Sequence, residues 1–220
     1  IEAMRLPPLR FAGVVLFGIM LAGSRGLARE VMLHVDPVTE PAKFAADEIE
    51  AALKARGDAV RRGALKQIAE GTAYVSLVDG PDLKNEGFDL QVERTGTRQY
   101  VTVRGGGPGG VMYGGLELAE QIRLGGLEAV AATRREPYIA MRGTKFNLPL
   151  DVRTPSYTDM GDSAQANIAT VWDFEFWREY LDHLARDRYN YVSLCNLHPF
   201  PSLVRVPGYE DVALADVQRS

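Results

Sequence analysis

The chain has 220 residues, of which 46% are hydrophobic, so it can bury a core of ordinary size in one or two domains. Its 25 basic and 29 acidic side chains give a formal net charge of -4, which does not favour binding to the phosphate backbone of nucleic acids. The single cysteine, Cys195, excludes an intramolecular disulfide, and a Cys/His zinc site with four protein ligands would need this cysteine and all 3 histidines, so we do not expect one. We therefore predict a globular protein without a metal, a cofactor or a nucleic-acid partner.

Residues 1–28 have the pattern of a secretory signal peptide. Arg5 and Arg10 supply positive charge, residues 11–23 are apolar and uncharged, and Gly26-Leu27-Ala28 places small residues where a signal peptidase reads the chain. A membrane anchor is the alternative, but the apolar run is shorter than the roughly 20 residues that a membrane-spanning helix needs. We predict cleavage after Ala28, a secreted or periplasmic location, and no membrane association of the mature chain.

Residues 29–125 alternate between the hydrophobic periods of strands and helices, which predicts a small mixed α/β domain. Residues 31–35 alternate as a strand, and Thr39 is a suitable N-cap for a helix that ends at Gly57. The apolar stripe of that helix consists of Phe44, Ala45, Ile49, Ala52 and Leu53.

A second strand and a hairpin follow that helix. Residues 74–78 form the predicted strand, and residues 88–104 form a hairpin that turns at Thr95-Gly96-Thr97. A last helix is predicted because apolar residues recur at helical spacing from Met112 to Ile122.

The glycine-rich link before that helix formally matches a dinucleotide-binding motif through Gly105, Gly107 and Gly110. The preceding strand belongs to an antiparallel hairpin, however, and Pro108 offers no amide to a phosphate. We therefore interpret these glycines as permitting tight turning and close packing of the helix on the sheet. A nucleotide-binding oxidoreductase remains the alternative for this motif.

Three short motifs of this region, Glu86-Gly87-Phe88, residues 110–114 and Leu118-Ala119-Glu120, resemble the accessory α/β domain of β-hexosaminidases and α-glucuronidases. In those glycoside hydrolases the domain precedes the catalytic barrel and carries no catalytic residues. The resemblance implies the same position for residues 29–125, with a linker at 126–136.

The next segment, residues 137–143, resembles the first barrel strand of the same hydrolases, in which an Arg-Gly pair ends the strand. In hexosaminidases the matching arginine binds sugar hydroxyls, so the resemblance implies that Arg142 binds substrate. A surface arginine in a salt bridge is the alternative interpretation.

A barrel is also indicated by the pattern of residues 173–196. Asp173 is a suitable N-cap for an amphipathic helix that carries Phe174, Trp177, Leu181 and Leu184 on one face, and residues 189–196 follow as a buried strand. Strand, helix and strand in this order make a parallel sheet. We therefore predict an α/β fold in which a small mixed α/β domain precedes the first βαβ unit of a (β/α)8 barrel at 137–220.

Loops that follow barrel strands form the active face of such folds. Two of them are predicted, at 144–171 and from 197 onward, and both contain polar side chains. The predicted substrate-binding residues are Arg142, Asn147, Asp151, Asn196 and His198. Asp151 and Asp159 could form a catalytic pair, but the resembled families place their catalytic carboxylates on later strands, so the acid and base stay unassigned.

We predict from the resemblance that the parent protein is an exported glycoside hydrolase, of α-glucuronidase or β-hexosaminidase type, that cleaves oligo- or polysaccharides. A whole barrel takes about 250 residues, so this chain is expected to be an inactive amino-terminal fragment without the catalytic acid and base. A non-catalytic carbohydrate-binding or assembly module is the alternative. The sugar, the linkage, the stereochemical outcome and the oligomeric state stay open.

Overall fold

The structure, a computed structural model, describes residues 29–36, 38–64, 71–148, 166–195 and 207–208. The predicted signal peptide lies outside the described residues. Within the described part, no helix is long and apolar enough to cross a membrane, and no group of three metal-ligating side chains occurs.

A six-stranded mixed sheet forms the first part of the fold, with strand order β2-β1-β3-β5-β4-β6. The first four strands in this order run parallel, whereas β4 is antiparallel to both β5 and β6. The strands are β1 (Glu30–Asp36), β2 (Ala59–Arg62), β3 (Ala73–Asp79), β4 (Phe88–Thr95), β5 (Arg98–Gly105) and β6 (Thr133–Arg135). The predicted mixed α/β fold is thereby confirmed.

Two helices, α1 (Glu40–Ala55) and α2 (Gly107–Gly125), pack against each other and against the sheet. The Thr39 hydroxyl accepts a hydrogen bond from the amide of Ala42 at 3.3 Å, which confirms the predicted N-cap of α1. A 3-10 turn at Leu127–Ala129 follows α2. The core between the helices and the sheet is fully buried and includes Leu33, Ile49, Leu53, Leu77, Leu90, Leu118 and Ile122.

The predicted strands, the hairpin and the last helix of this domain are confirmed, whereas β2 and β6 were not predicted. Strand β6 lies within the predicted linker 126–136 and forms an edge of the sheet beside β4. Most of the glycine-rich segment that was predicted to link β5 to the last helix belongs to the helix itself, because α2 begins at Gly107.

A second, two-stranded parallel sheet is formed by β7 (Gly143–Asn147) and β8 (Tyr191–Cys195). Between them lie α3 (Ile168–Val171) and α4 (Phe174–Arg186), and the Asp173 carboxylate caps α4 by accepting a hydrogen bond from the Glu175 amide at 3.0 Å. The strand–helix–strand order and the Asp173 cap are as predicted.

Burial in this second part differs from the prediction. No residue of α4 is fully buried, and Phe174 and Leu181 on its apolar face are 74% and 48% exposed. In β8, Tyr191 and Leu194 are also exposed, so the strand does not have the predicted buried character.

The predicted strand at 137–143 is wrong, since β7 begins at Gly143, where that strand was expected to end. The amide of Arg142 donates to the side-chain Oδ1 of Asn190 at 2.8 Å and not to a backbone carbonyl of β8, whereas the Arg142 carbonyl accepts from the amides of Asn190 and Tyr191 at 2.8 and 3.1 Å. Pairing with β8 starts at Gly143, opposite Tyr191, and a Cβ on Gly143 would lie 2.3 Å from the carbonyl oxygen of Tyr191.

Candidate functional site

Arg142 lies where the six-stranded sheet meets the β7–β8 unit, and its guanidinium is held by three hydrogen bonds. Nε donates to the carbonyl of Arg188 at 2.8 Å, Nη1 to the carbonyl of Ile139 at 2.7 Å, and Nη2 to the Glu86 carboxylate at 3.0 Å. The guanidinium carbon is also 5.5 Å from the ring centroid of Tyr113, a favourable cation–π distance. Arg142 therefore joins the two parts of the chain.

The Glu86 carboxylate is the centre of this polar cluster. Besides Arg142, it accepts hydrogen bonds from the side-chain amide of Asn190 at 3.0 and 3.1 Å. The side chains of Arg142 and Glu86 are only 20% and 17% exposed. Because the ion pair is mostly shielded from water, removing either partner would leave a poorly solvated charge and destabilise the fold more than breaking an exposed pair.

Two backbone conformations at this junction are strained. Glu86 and Arg188 have φ values of 64° and 65° and are the non-glycine residues with positive φ in the described part of the chain. This left-handed conformation costs roughly 1–2 kcal/mol for each such residue. Both residues take part in holding Arg142, so the surrounding contacts maintain the strain.

Tyr113 completes this side of the junction, with its ring buried beside Arg142. Burial raises the pKa of its hydroxyl, the Glu86 carboxylate raises it further, and Arg142 opposes both. The phenol consequently stays protonated near neutral pH and acts as a hydrogen-bond donor, here toward the carbonyl of Tyr189 at 3.4 Å.

A second contact between the two parts is centred on the Glu48 carboxylate of α1. Nη2 and Nε of Arg186, in α4, donate to it at 2.8 and 3.1 Å, and Arg123 of α2 donates to its other oxygen. Burial acts to raise the pKa of Glu48, but the hydrogen bonds and charges of Arg186 and Arg123 outweigh burial and lower it.

We expect this lowered pKa to make stability depend on pH. Below the ordinary glutamate pKa of about 4.3, the unfolded chain takes up the proton first, so the stabilisation that Glu48 provides is present above that pH. It is lost as the pH falls through the lowered pKa of the folded state. Urea unfolding of the wild type and of Glu48→Gln should therefore differ at neutral pH and converge in acid, whereas a constant difference would contradict this assignment.

The structure separates the predicted substrate-binding residues that it describes. Arg142 precedes β7, and Asn147 is the last residue of the same strand, so the two lie at opposite ends of β7. The side chain of Asn147, like Asp151, Asn196 and His198, lies outside the described residues. Substrate binding by Arg142 stays a prediction, while the ion pair with Glu86 matches the alternative interpretation of this arginine.

Sequence reasoning missed the roles of Glu86, Tyr113 and Arg188. Glu86 and Tyr113 both lie in the motifs that carry the resemblance, but those motifs assign them no task. Arg142 is separated from Glu86 by 56 residues and from Arg188 by 46, so no local periodicity links them.

No protein family model matches the chain, and a search of curated proteins finds no match. Among solved structures, a GH138 enzyme targeting pectin rhamnogalacturonan II is similar over 86% of this chain, with a TM-score of 0.62 and 24% identity. A β-N-acetylhexosaminidase from Bacteroides fragilis matches 76% of this chain and 29% of its own length at a TM-score of 0.42 and 16% identity, too low to support an argument. The chain spans about a fifth of the GH138 enzyme, 21% of its length, and shares the fold of that part of a glycoside hydrolase.

Proposed function

We propose that this chain is the amino-terminal part of an exported glycoside hydrolase that cleaves glycosidic bonds in oligo- or polysaccharides. The observation that carries the proposal is the fold likeness to the GH138 enzyme over 86% of the chain. The short motifs that resemble hexosaminidases and α-glucuronidases support the same general activity. Because the neighbour targets a pectin component, we include pectic polysaccharides with hexosaminides and glucuronides as proposed substrates.

The proposed catalytic face lies at the carboxyl ends of β7 and β8. These two strands are parallel, so Asn147 and Cys195 end at the same edge of the sheet. The chain segments that leave this edge contain Asp151, Asn196 and His198, the proposed sugar-binding residues.

The catalytic acid and base are proposed to lie outside this chain. Glycoside hydrolases of the usual type need two carboxyl groups at a fixed separation on either side of the scissile bond. The chain spans 21% of the length of the GH138 enzyme, which supports a longer parent protein with additional barrel strands.

The decisive test compares the 220-residue chain with a longer natural protein that contains it. Both are incubated with rhamnogalacturonan II, chitin oligosaccharides and glucuronoxylan oligosaccharides, and released sugars are identified by mass spectrometry. We expect release by the longer protein and none by the 220-residue chain.

Other outcomes would revise this proposal in different ways. Release by the 220-residue chain, abolished by Asp151→Asn or Asp159→Asn, would show that the chain is itself the enzyme. Saturable oligosaccharide binding without any release would instead favour a non-catalytic carbohydrate-binding or assembly module.

The proposed signal-peptide cleavage is tested separately. Mature protein from the culture medium or periplasm should begin at Arg29, and retention of earlier residues would refute the proposed cleavage.

A further inference from the structure

A cavity of about 430 Å³ lies at the junction of the two parts of the chain. Helix α2 contributes Tyr113, Glu117 and Glu120 to its lining, and Arg135 of β6 and Arg188, which follows α4, also line it. Its volume falls within the range of about 300–1,000 Å³ that small-molecule sites occupy, and such sites are frequent at domain interfaces. The cavity is therefore large enough for a small ligand.

The charges around the cavity nearly cancel, because five carboxylates and four guanidinium groups line it. A strongly anionic or cationic ligand would meet about as many repelling as attracting groups. A neutral ligand with many hydroxyls fits better, since each hydroxyl donates one hydrogen bond to a carboxylate and accepts another from a guanidinium.

Several of the charged groups that line the cavity have donor or acceptor atoms that can still form hydrogen bonds. Within the described part of the chain, Arg135 has no ion-pair partner, and Glu117 accepts a hydrogen bond from the Gln121 side chain at 3.1 Å through one oxygen. Arg188 and Glu120 approach each other only to 3.8 Å, which is too long for a hydrogen bond. Arg188 already donates to the Arg186 carbonyl through Nη1, so a ligand hydroxyl could bind its Nη2 group, Arg135 and the two carboxylates while these contacts are kept.

The strained backbone supports a ligand site here. Glu86 and Arg188, the residues with φ values of 64° and 65°, both line the cavity. Strained residues of this kind persist where the surrounding structure holds them, and they cluster at ligand sites.

We propose that the junction cavity binds a neutral saccharide unit, through Glu117, Glu120, Arg135 and Arg188, at the opposite end of β7 from the proposed catalytic face. The ligand class rests on the proposed function, whereas the site itself rests on the cavity and its lining. Such a site would hold a part of the polysaccharide that is not being cleaved.

Titration of the isotope-labelled 220-residue chain, followed by amide NMR, tests this proposal directly. The probes are methyl glucoside and methyl galactoside, with galacturonate as the charged comparison. We expect saturable shifts at residues 113–120 with at least one neutral probe, and weaker binding of galacturonate. The proposal is overturned if neither neutral probe saturates, if galacturonate binds more tightly, or if shifts occur only at 143–147 and 191–195.

Variants locate the binding within the cavity. Glu117→Gln and Arg135→Gln should each weaken binding of the neutral probe by about tenfold, the usual effect of losing one charged hydrogen bond. Glu40→Gln, at an 85% exposed side chain at the start of α1, is the matched control and should bind like the wild type. If Glu117→Gln does not fold, the test rests on Arg135→Gln, on the exposed edge strand β6. Unchanged affinity of the Arg135→Gln variant for the neutral probe overturns the proposal.

Binding and hydrolysis are read separately in these experiments. If the 220-residue chain binds the neutral probe but the longer protein cleaves no glycoside, the proposed hydrolase activity is refuted and the cavity site is not. Hydrolysis by the longer protein without binding in this cavity would refute the site alone.

Discussion

Replacing Gly105 with alanine is expected to destabilise the six-stranded sheet and the helices packed on it strongly. A Cβ at Gly105 would lie 2.0 Å from the Val111 amide nitrogen and 2.4 Å from the Gly110 carbonyl carbon. These are backbone atoms of α2, so they cannot rotate away as a side chain could, and the helix would have to lift from β5. We expect a loss of about 3 kcal/mol or more in the free energy of unfolding, at the upper end for overpacked cores.

The measurement is urea unfolding followed by far-ultraviolet circular dichroism, and Gly63→Ala provides the matched control. A Cβ at Gly63 would meet only the Met32 sulfur, at an ordinary 3.7 Å, so the free energy of unfolding should change by less than about 0.5 kcal/mol. Equal unfolding midpoints for Gly105→Ala and Gly63→Ala would contradict the packing role of Gly105. If Gly105→Ala yields no folded protein while Gly63→Ala folds, the prediction is met.

The glycine-rich segment illustrates what the sequence alone could decide. Its motif spacing suits a phosphate-binding loop as well as close packing, and only the positions of neighbouring backbones separate the two. In the fold, a Cβ on Gly106 would come within 1.9 Å of the carbonyl oxygen of Lys84, and one on Gly110 within 2.3 Å of that of Gly87. These contacts support the packing interpretation, because backbone atoms of the same chain occupy the space beside the glycines.

The elements that could be predicted are those whose signals are local. Thr39 and Asp173 are followed by apolar residues at helical spacing, and both cap helices as expected. The hairpin around Gly96 is also predictable from the sequence, because the alternation of apolar and polar residues on both sides of its turn is a local pattern.

The remaining features depend on long-range pairing. Strands β2 and β6 are only four and three residues long and lie at the two edges of the sheet, so their sequences carry little hydrophobic alternation. The strand predicted at 137–143 rested on its resemblance to a first barrel strand, whereas in the fold Tyr138, Ile139 and Met141 are exposed and β7 begins only at Gly143. Asn190 and Arg142 are distant in sequence, and their hydrogen bonds lie directly before the first paired residues, Gly143 and Tyr191.

The second large effect is expected for Glu86→Gln, which should loosen the β7–β8 unit. The substitution keeps the size of the side chain and the strained backbone, but it removes the charge that holds Arg142 Nη2 at 3.0 Å. It also places an amide group opposite the Asn190 side-chain amide, which donates to both oxygens of Glu86 in the wild type. Amide hydrogen exchange at 143–147 and 191–195 should accelerate by about tenfold, which corresponds to the loss of one charged hydrogen bond.

The matched control is Glu30→Gln, which removes a carboxylate from an exposed pair with Arg61 on the same domain. Exchange in β7 and β8 should not change in this variant, because exposed ion pairs contribute little and Glu30 lies in β1. Equal acceleration in Glu86→Gln and Glu30→Gln would show that the junction depends on net charge and not on the Glu86 contacts.

A double-mutant cycle with Arg142→Gln then distinguishes the two interpretations of that arginine. If Arg142 acts chiefly through Glu86, the coupling energy between the two positions should exceed about 0.5 kcal/mol, and the double variant should be little worse than either single one. If Arg142 acts instead by binding sugar, Arg142→Gln should reduce hydrolysis by the longer protein while Glu86→Gln leaves it nearly unchanged. The guanidinium already donates to Glu86, Ile139 and Arg188, so we expect the first result.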